Sequence, residues 1–505
     1  MNRSVSQVFE EFQRARSHFV QTLADLSQKP QNIDGLRSAG ALQLLRPLLL
    51  DSIPGIQQTA AVALGRLAGH SEVAARECVN EDILPHLVAS VAEQNRFYRR
   101  STALVMRSIA KHSAELSQAV IDCGALPALS QCLEAFDPQV KDAAASAIGC
   151  IARHSETLAS SVVAAGIVPL LVLCIQEPEI NIKRSAALAL GDIAKHSPEL
   201  AQVVCDAGAV PLLSKQLTST DTVVRRQICW CLSRIALHSV DFAEAVVEAD
   251  ALPKLLHCLK DPDELVRRNA AACVREIVKH TPQLATFAAN AGAIAALVDL
   301  IQETTGPTRV AGILALGYIG AFTETLALAI IVQKGIPPLK NALETESEDH
   351  AKAAAAWAVG QLGRHTPDHA MAVAEADVLR LLMAAFLAPD SSDDLKQKAK
   401  RALKGTVQMC THLAALEPLL NEAPPSILKH IVQQFAKVLP NDPKARRTFV
   451  QTGALETLLK IRETEAASNV LDSIQSVCDL YPPEVVNYYS PGYSALLIEK
   501  IDAHS

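Results

Sequence analysis

An all-α solenoid of stacked short repeats is the fold class this sequence predicts, and three observations predict it. Turn residues recur every 42 positions, at Gly40, Asp82, Gly124, Gly166, Gly208, Asp250 and Gly292, and after one extra residue at Gly335 and Asp377. A histidine column keeps the same interval at His70, His112, His154, His196, His238 and His280, passes through Phe322, and resumes at His365. The composition is 49% hydrophobic but only 4% aromatic, so the core must be Leu, Ile, Val and Ala, which suits closely packed helices. A period of about 40–47 residues in an alanine-rich chain marks an array of helical repeats. Such arrays act through extended surfaces, so function is expected on a surface rather than in a catalytic pocket.

Residues 112–153 show how one repeat is built. Ser113 is a natural N-cap for a short first helix, because its hydroxyl can accept a backbone N–H that has no partner within the helix. Ser71, Ser155, Ser197, Ser239, Thr281, Thr323 and Thr366 occupy the same position. Pro198, Pro282 and Pro367 follow directly, where a missing N–H costs nothing. The first helix ends near Gly124, where a left-handed turn is easy for Gly and tolerated by Asp. Pro127, like Pro85, Pro169, Pro211 and Pro253, is expected to open the second helix, which carries Leu126, Leu129 and Leu133 on one face. Asp137-Pro138 ends that helix, and a third places Val140, Ala144, Ala147, Ile148 and Ile151 at helical spacing. A column of mainly small residues along the third helix (Ala60, Thr102, Ala144, Ala186, Ala270, Gly312, Ala355, with Ile228 the exception) permits close approach of neighbours. Three helices per repeat, the first short, predict an armadillo array, a right-handed superhelical solenoid, rather than the two-helix HEAT pattern.

The expected organisation is an N-terminal capping helix within residues 1–27, nine repeats over 28–410, degenerate repeats over 411–480 and a Tyr/Pro-rich tail over 481–505. Within 411–440 the repeat is expected to lack its first helix. Asn441-Asp442-Pro443 restarts the pattern, with Gly453 at the turn position.

Net charge of -7 disfavours a general nucleic-acid binder. The twelve cysteines contain no CxxC, with Cys229 and Cys231 the one close pair, which fits a reducing compartment. No stretch approaches the ~20 apolar residues of a membrane span, and Met1–Val5 lacks the apolar core of a secretory signal. A soluble, intracellular protein without membrane contact is expected. No phosphate loop, zinc constellation, nucleophile elbow or dinucleotide fingerprint occurs, so neither catalysis nor a cofactor is expected.

Two columns and one carboxyl-terminal cluster are candidates for function. The histidines cannot share a metal, since packed helices lie ~8–10 Å apart and a His–metal bond is ~2 Å; they are expected to close the last turn of the third helix. Arg99, Lys141, Lys183, Arg225, Arg267, Arg309 and Lys352 recur at the start of the third helix, accompanied by Arg100, Arg184, Arg226 and Arg268. They read either as a stripe that holds an acidic, extended partner or as a solvated face balanced by nearby carboxylates. Tyr488, Tyr489 and Tyr493, with Tyr481, are four of the six tyrosines, and read as a docking surface or as a strap over the last repeat.

Several strings go beyond repeat grammar: AEQNRFY (92–98), LLVLCIQEPEI (170–180), KAAAAWAVGQLGRHTP (352–367), ALEPLL (415–420), APPSILKH (423–430) and YYSPGYS (488–494). In these the chain resembles the sperm-associated antigen 6 family, armadillo proteins of the ciliary central apparatus. That resemblance implies a non-enzymatic scaffold of the axonemal central pair, in cytoplasm, cytoskeleton and flagellum. It implies other central-apparatus proteins and tubulin as partners and a role in motility; self-association is expected from the Tyr-rich end and the array-like form. The rival is a transport or signalling adaptor. Import adaptors of this fold carry Asn in mid third helix, where this chain has Arg66, Ser108, Cys150, Asp192, Arg234, Glu276, Tyr318 and Gln361; Trp230 and Trp357 alone match their tryptophans.

Overall fold

In the computed structural model residues 2–91, 94–464, 470–493 and 498 are described, and among them every regular element is a helix. The helices fall into two compact units, residues 1–258 and 259–505.

In the first unit the repeat chosen above consists of Ala114–Asp122, Ala125–Leu133 and Pro138–Ala152. The hydroxyl of Ser113 accepts the N–H of Leu116 at 3.4 Å, and Ser71, Ser155, Ser197 and Ser239 cap in the same way. Gly124 takes φ 84°, and Asp82 and Asp250 accept the same left-handed conformation. The turn makes the first two helices nearly perpendicular: Glu156–Ala164 and Ile167–Cys174 meet at 87°. The second helix begins two residues earlier than the proline position implied, so Pro127 lies in its first turn at the third helical residue. No helix bond is lost, because N–H groups of the first turn have no intrahelical acceptor. Asp137 accepts from the N–H of Gln139 and Val140 and starts the third helix.

Leu126, Leu129, Leu133, Val140, Ala144, Ala147, Ile148 and Ile151 are all buried. Third helices approach closely: a Cβ on Gly149 would lie 3.4 Å from the Cα of Ala189. The N-terminal helix Asn2–Leu26 packs on the third helix Pro54–His70, burying Val20 and Ala24, and Arg66 donates to its last turn at Ala24 O. Only its C-terminal half covers the repeat. Val8, Phe9 and Phe12 stay exposed.

The second unit repeats the plan with third helices Glu264–Val278, Gly306–Phe322, Asp349–Gly363 and Asp393–Met409. Thr281, Thr323 and Thr366 cap as expected. Gly335, expected at the left-handed turn, has φ −71°; Lys334 takes it instead, at φ 58°. Lys334 lies 42 residues after Gly292, so the extra residue falls after the turn. Gly335 serves a different need, since a Cβ there would be 2.5 Å from Ile330 Cγ2. After Met409 the chain passes through the short helix Leu413–Leu416 and a 3-10 turn, Glu417–Asn421, into Pro425–Val438, with no first helix between. Helices Pro443–Gln451 and Ala454–Arg462 follow across Gly453 at φ 81°, then Leu471–Cys478 and Pro483–Tyr489. Of the Tyr/Pro-rich tail, residues 494–497 and 499–505 lie outside the described residues.

Candidate partner-binding face

The basic column at the start of the third helix is tied into the repeat rather than presented freely. Four of its arginines reach back to carbonyls at the end of the preceding helix or loop. Arg99 Nε meets Val91 O at 3.0 Å, Arg225 Nη1 meets Ser219 O at 2.7 Å, Arg267 Nη1 meets Asp261 O at 2.7 Å, and Arg309 Nε meets Ile301 O at 2.8 Å. Carbonyls that close a helix lack intrahelical donors; Arg99 and Arg309 supply them at Val91 and Ile301, while Arg225 and Arg267 bond loop carbonyls. Lys141 pairs with Glu177 and Lys183 with Gln216 Oε1 at 3.2 Å, each in the next repeat, and Lys352 is half-buried. Arg309 departs furthest from the expected stripe. It is 3% exposed and bonds Glu346 at 3.0 Å and Asn341 at 2.8 Å, so it cannot meet a partner. Spacing revealed the column but not its direction, which depends on where the adjoining loop places its carbonyls.

The histidine column has a role between repeats. Nε2 of His112, His154, His196 and His238 lies 2.8–2.9 Å from the carbonyl of Ala68, Ala110, Ala152 and Ala194 respectively, each in the preceding third helix. In the second unit His365 does the same to Gly320 O at 2.7 Å. The imidazole therefore closes its neighbour's helix, not its own as expected. A second donor often joins it: Lys111 to Gly69 O, Arg153 to Lys111 O at 3.3 Å, and Arg364 to Ala321 O at 2.7 Å. Positive groups there also complement the negative end of the helix dipole. Burial, then the charges of Arg153 and Lys195, lower the pKa of His154 below the ordinary imidazole value.

The mid-helix column of the third helices is half-buried or buried in each unit. In the first unit, Trp230 lies against Gly191 of the preceding repeat, and the guanidinium of Arg234 sits 5.8 Å from its ring centre. In the second, Trp357 lies against Gly317 and packs edge-on to Tyr318 at 5.0 Å. Charges along this column are largely balanced. Asp192 holds Lys195 at 2.9 Å, with burial raising the carboxyl pKa, and buried Glu276 lies between Arg275 and Lys279. Among the described residues no three His, Cys, Asp or Glu side chains form a group able to hold a metal. The twelve cysteines are free, and burial pushes the Cys78 thiol up to about 12.

At the carboxyl end Tyr488, 63% exposed, has its ring centre 4.9 Å from Tyr489 and 5.8 Å from Tyr493, so the three form one aromatic cluster. Tyr481 stands apart, its half-buried hydroxyl donating to Arg446 O at 3.2 Å. The repeat columns did not draw attention to the third helix Asp393–Met409, where Lys396, Lys398, Lys400, Arg401 and Lys404 occur without an intervening acid. The signal was a local charge run, invisible to a search for 42-residue periodicity.

The model of the armadillo/beta-catenin-like repeat matches residues 113–153, 197–237 and 239–279. Two relatives named Sperm-associated antigen 6, from Mus musculus and Homo sapiens, are each 66% identical to this chain over 502 residues, 99% of its length and 99% and 98% of theirs. The chain belongs to that family. The family resemblance read from the linker and tail strings is thus borne out across nearly the whole length. Among solved structures an engineered protein matches with a TM-score of 0.70 over 87% of this chain and 98% of its own, at 24% identity, which bears on the fold alone. The fold is an all-α armadillo-repeat solenoid.

Proposed function

We propose that this protein is a non-enzymatic structural scaffold of the axonemal central pair, needed for flagellar motility. In this reading it binds other central-apparatus proteins and the central-pair microtubule, and also binds itself. The observation that carries the reading is the 66% identity spread over 99% of the chain, degenerate repeat included, to relatives named Sperm-associated antigen 6. Repeats whose polar groups are spent on holding neighbouring repeats together suit a mechanical role. Tyr488, Tyr489 and Tyr493 are the proposed self-association contact, because a clustered aromatic surface gives large contact area at little entropic cost. Around the basic column, half-buried Lys352 and the exposed Arg100 and Arg268, which adjoin Arg99 and Arg267, are the proposed contacts for an acidic partner, while Lys141 and Lys183 are taken up by the next repeat. An import role gains no support, since no Asn occupies the mid-helix column.

The test is to follow a tagged copy in a flagellated cell. Signal along the axoneme that vanishes in flagella lacking the central pair supports the scaffold reading. Signal shuttling between cytosol and nucleus, with normal motility after deletion, overturns it.

A further inference from the structure

Most cations toward the C-terminal ends of the third helices have a bond to make. Lys111, Arg153 and Arg364 donate to helix-end carbonyls, Lys195 pairs with Asp192, and Arg275 and Lys279 pair with Glu276. One surface in the second unit breaks this rule. On the helix Asp393–Met409, Arg401 and Lys404 are exposed, and on the adjoining helix Pro425–Val438 so is Lys429; none of the three has a hydrogen bond or ion pair among the described residues. From Leu395 to Leu416 and from Ala423 to Asn441 the sequence contains no Asp or Glu.

Placement makes this one surface. Ala402 and Thr406 turn inward, meeting Gly360 and Gly363 of the preceding third helix. Gln397, Arg401, Lys404 and Gln408 therefore line the outer side, at the i, i+4, i+7, i+11 spacing of a single helix face. Lys429, Gln433 and Lys437 line the second helix in the same manner, all exposed. The two helices meet beside these lines, where Gln408 Nε2 lies 3.3 Å from Nδ1 of His430, the residue after Lys429. Lys404 and Lys429 both act on that imidazole, whose pKa is lowered first by burial and then by their charges.

We infer that this surface docks an extended, carboxylate-rich segment of a partner protein. Uncompensated cations on a chain of net charge -7 call for a local anionic ligand. Amides interleaved with the cations can bond a peptide backbone while the cations take carboxylates. Carboxylates on one side of an extended peptide recur every ~7 Å, between the ~4.5 Å that separates the cations along one helix and the ~8–10 Å between helices, differences that long Lys and Arg side chains can span. A nucleic acid fits less well, because neither line carries an aromatic side chain on which bases could stack.

The experiment uses the full chain and a fluorescein-labelled peptide of about twelve residues, mostly Glu, long enough to pass both helices in extended form. Fluorescence anisotropy should report binding at low salt that weakens steadily as salt is added. The Arg401→Glu/Lys404→Glu/Lys429→Glu variant should bind at least ~10-fold more weakly, whereas reversing three cations elsewhere (Arg14, Lys260 and Lys460) should change affinity by no more than about twofold. The milder Arg401→Gln/Lys404→Gln/Lys429→Gln variant, with unchanged circular dichroism, should show an intermediate loss and removes misfolding as the cause. No binding to the unmodified chain, an equal loss in the control variant, or tighter binding of single-stranded RNA at the same residues would each overturn the assignment. Because the readout is peptide binding in solution, it stands or falls separately from the location of the protein in the axoneme.

Discussion

His154 donates through Nε2 to the carbonyl oxygen of Ala110, 2.8 Å away and 44 residues earlier, so one repeat closes the helix of the one before it. Removing the imidazole leaves a helix-end carbonyl without its donor, which costs about 1–2 kcal/mol. His154→Ala should lower the urea midpoint of the chain, and a fold-neutral result would remove the staple from the account. The pH dependence follows from the lowered pKa. The folded state holds His154 neutral more strongly than the unfolded chain does, so unfolded molecules bind more protons as pH falls through the unfolded value of ~6.5. Stability from this group is therefore complete above that value and lost as pH drops through the folded pKa. The variant should flatten that part of the stability–pH curve.

A second contact joins Gly191 to Trp230. A Cβ on Gly191 would sit 2.3 Å from Trp230 Cζ3 and 3.1 Å from the Cα of Cys231. Gly191→Ala should therefore destabilise by about 1–3 kcal/mol through overpacking. Adding Trp230→Leu should recover part of the loss but not all, since the Cys231 backbone remains close. Full recovery in the double variant, read by calorimetry, would mean the backbone approach is unimportant.

Lys334 carries a left-handed backbone at φ 58°, where its own Cβ is penalised and Gly is not. Part of the gain on substitution is offset by the greater freedom of Gly in the unfolded chain. Lys334→Gly should raise stability by about 0.5–1 kcal/mol, and a lower denaturation midpoint would show that the lysine makes an unrecognised contribution. The opposite substitution next door, Gly335→Ala, should destabilise through the 2.5 Å approach to Ile330 Cγ2.

The frame of the fold was legible because its signals are local and repeated. Hydroxyl caps such as Ser113 and Thr366, turn residues such as Gly124 and Asp377, and the apolar positions around Ile148 each declare themselves within one repeat. Side-chain destinations were harder to read, because they depend on neighbours one repeat away. His154 reaches back to Ala110, and Arg309 turns inward toward Glu346; in both, the partner's position is set by the stacking and not by the intervening sequence. Arg401, Lys404 and Lys429 leave no mark in the repeat pattern for a different reason. They lie in irregular repeats, where the 42-residue comparison loses its register.

Arg309 gives the sharpest test of which cations are structural. Its side chain and that of Glu346 are 4% and 5% exposed, and Glu346 also accepts the N–H of Gly306, at 3.2 Å to each oxygen, capping the helix that carries Arg309. Substituting one member leaves a buried charge uncompensated, a loss of about 3–5 kcal/mol. Glu346→Ala should lose more than Arg309→Met, since the carboxylate serves both the guanidinium and the helix end, while the aliphatic replacement for arginine retains much of the packing. Replacing the pair together, Arg309→Met with Glu346→Leu, should recover a large share of the stability lost by either alone. If both single variants unfold at the parental midpoint and differ only in partner binding, the inward placement of Arg309 is wrong and the expected basic stripe regains that member.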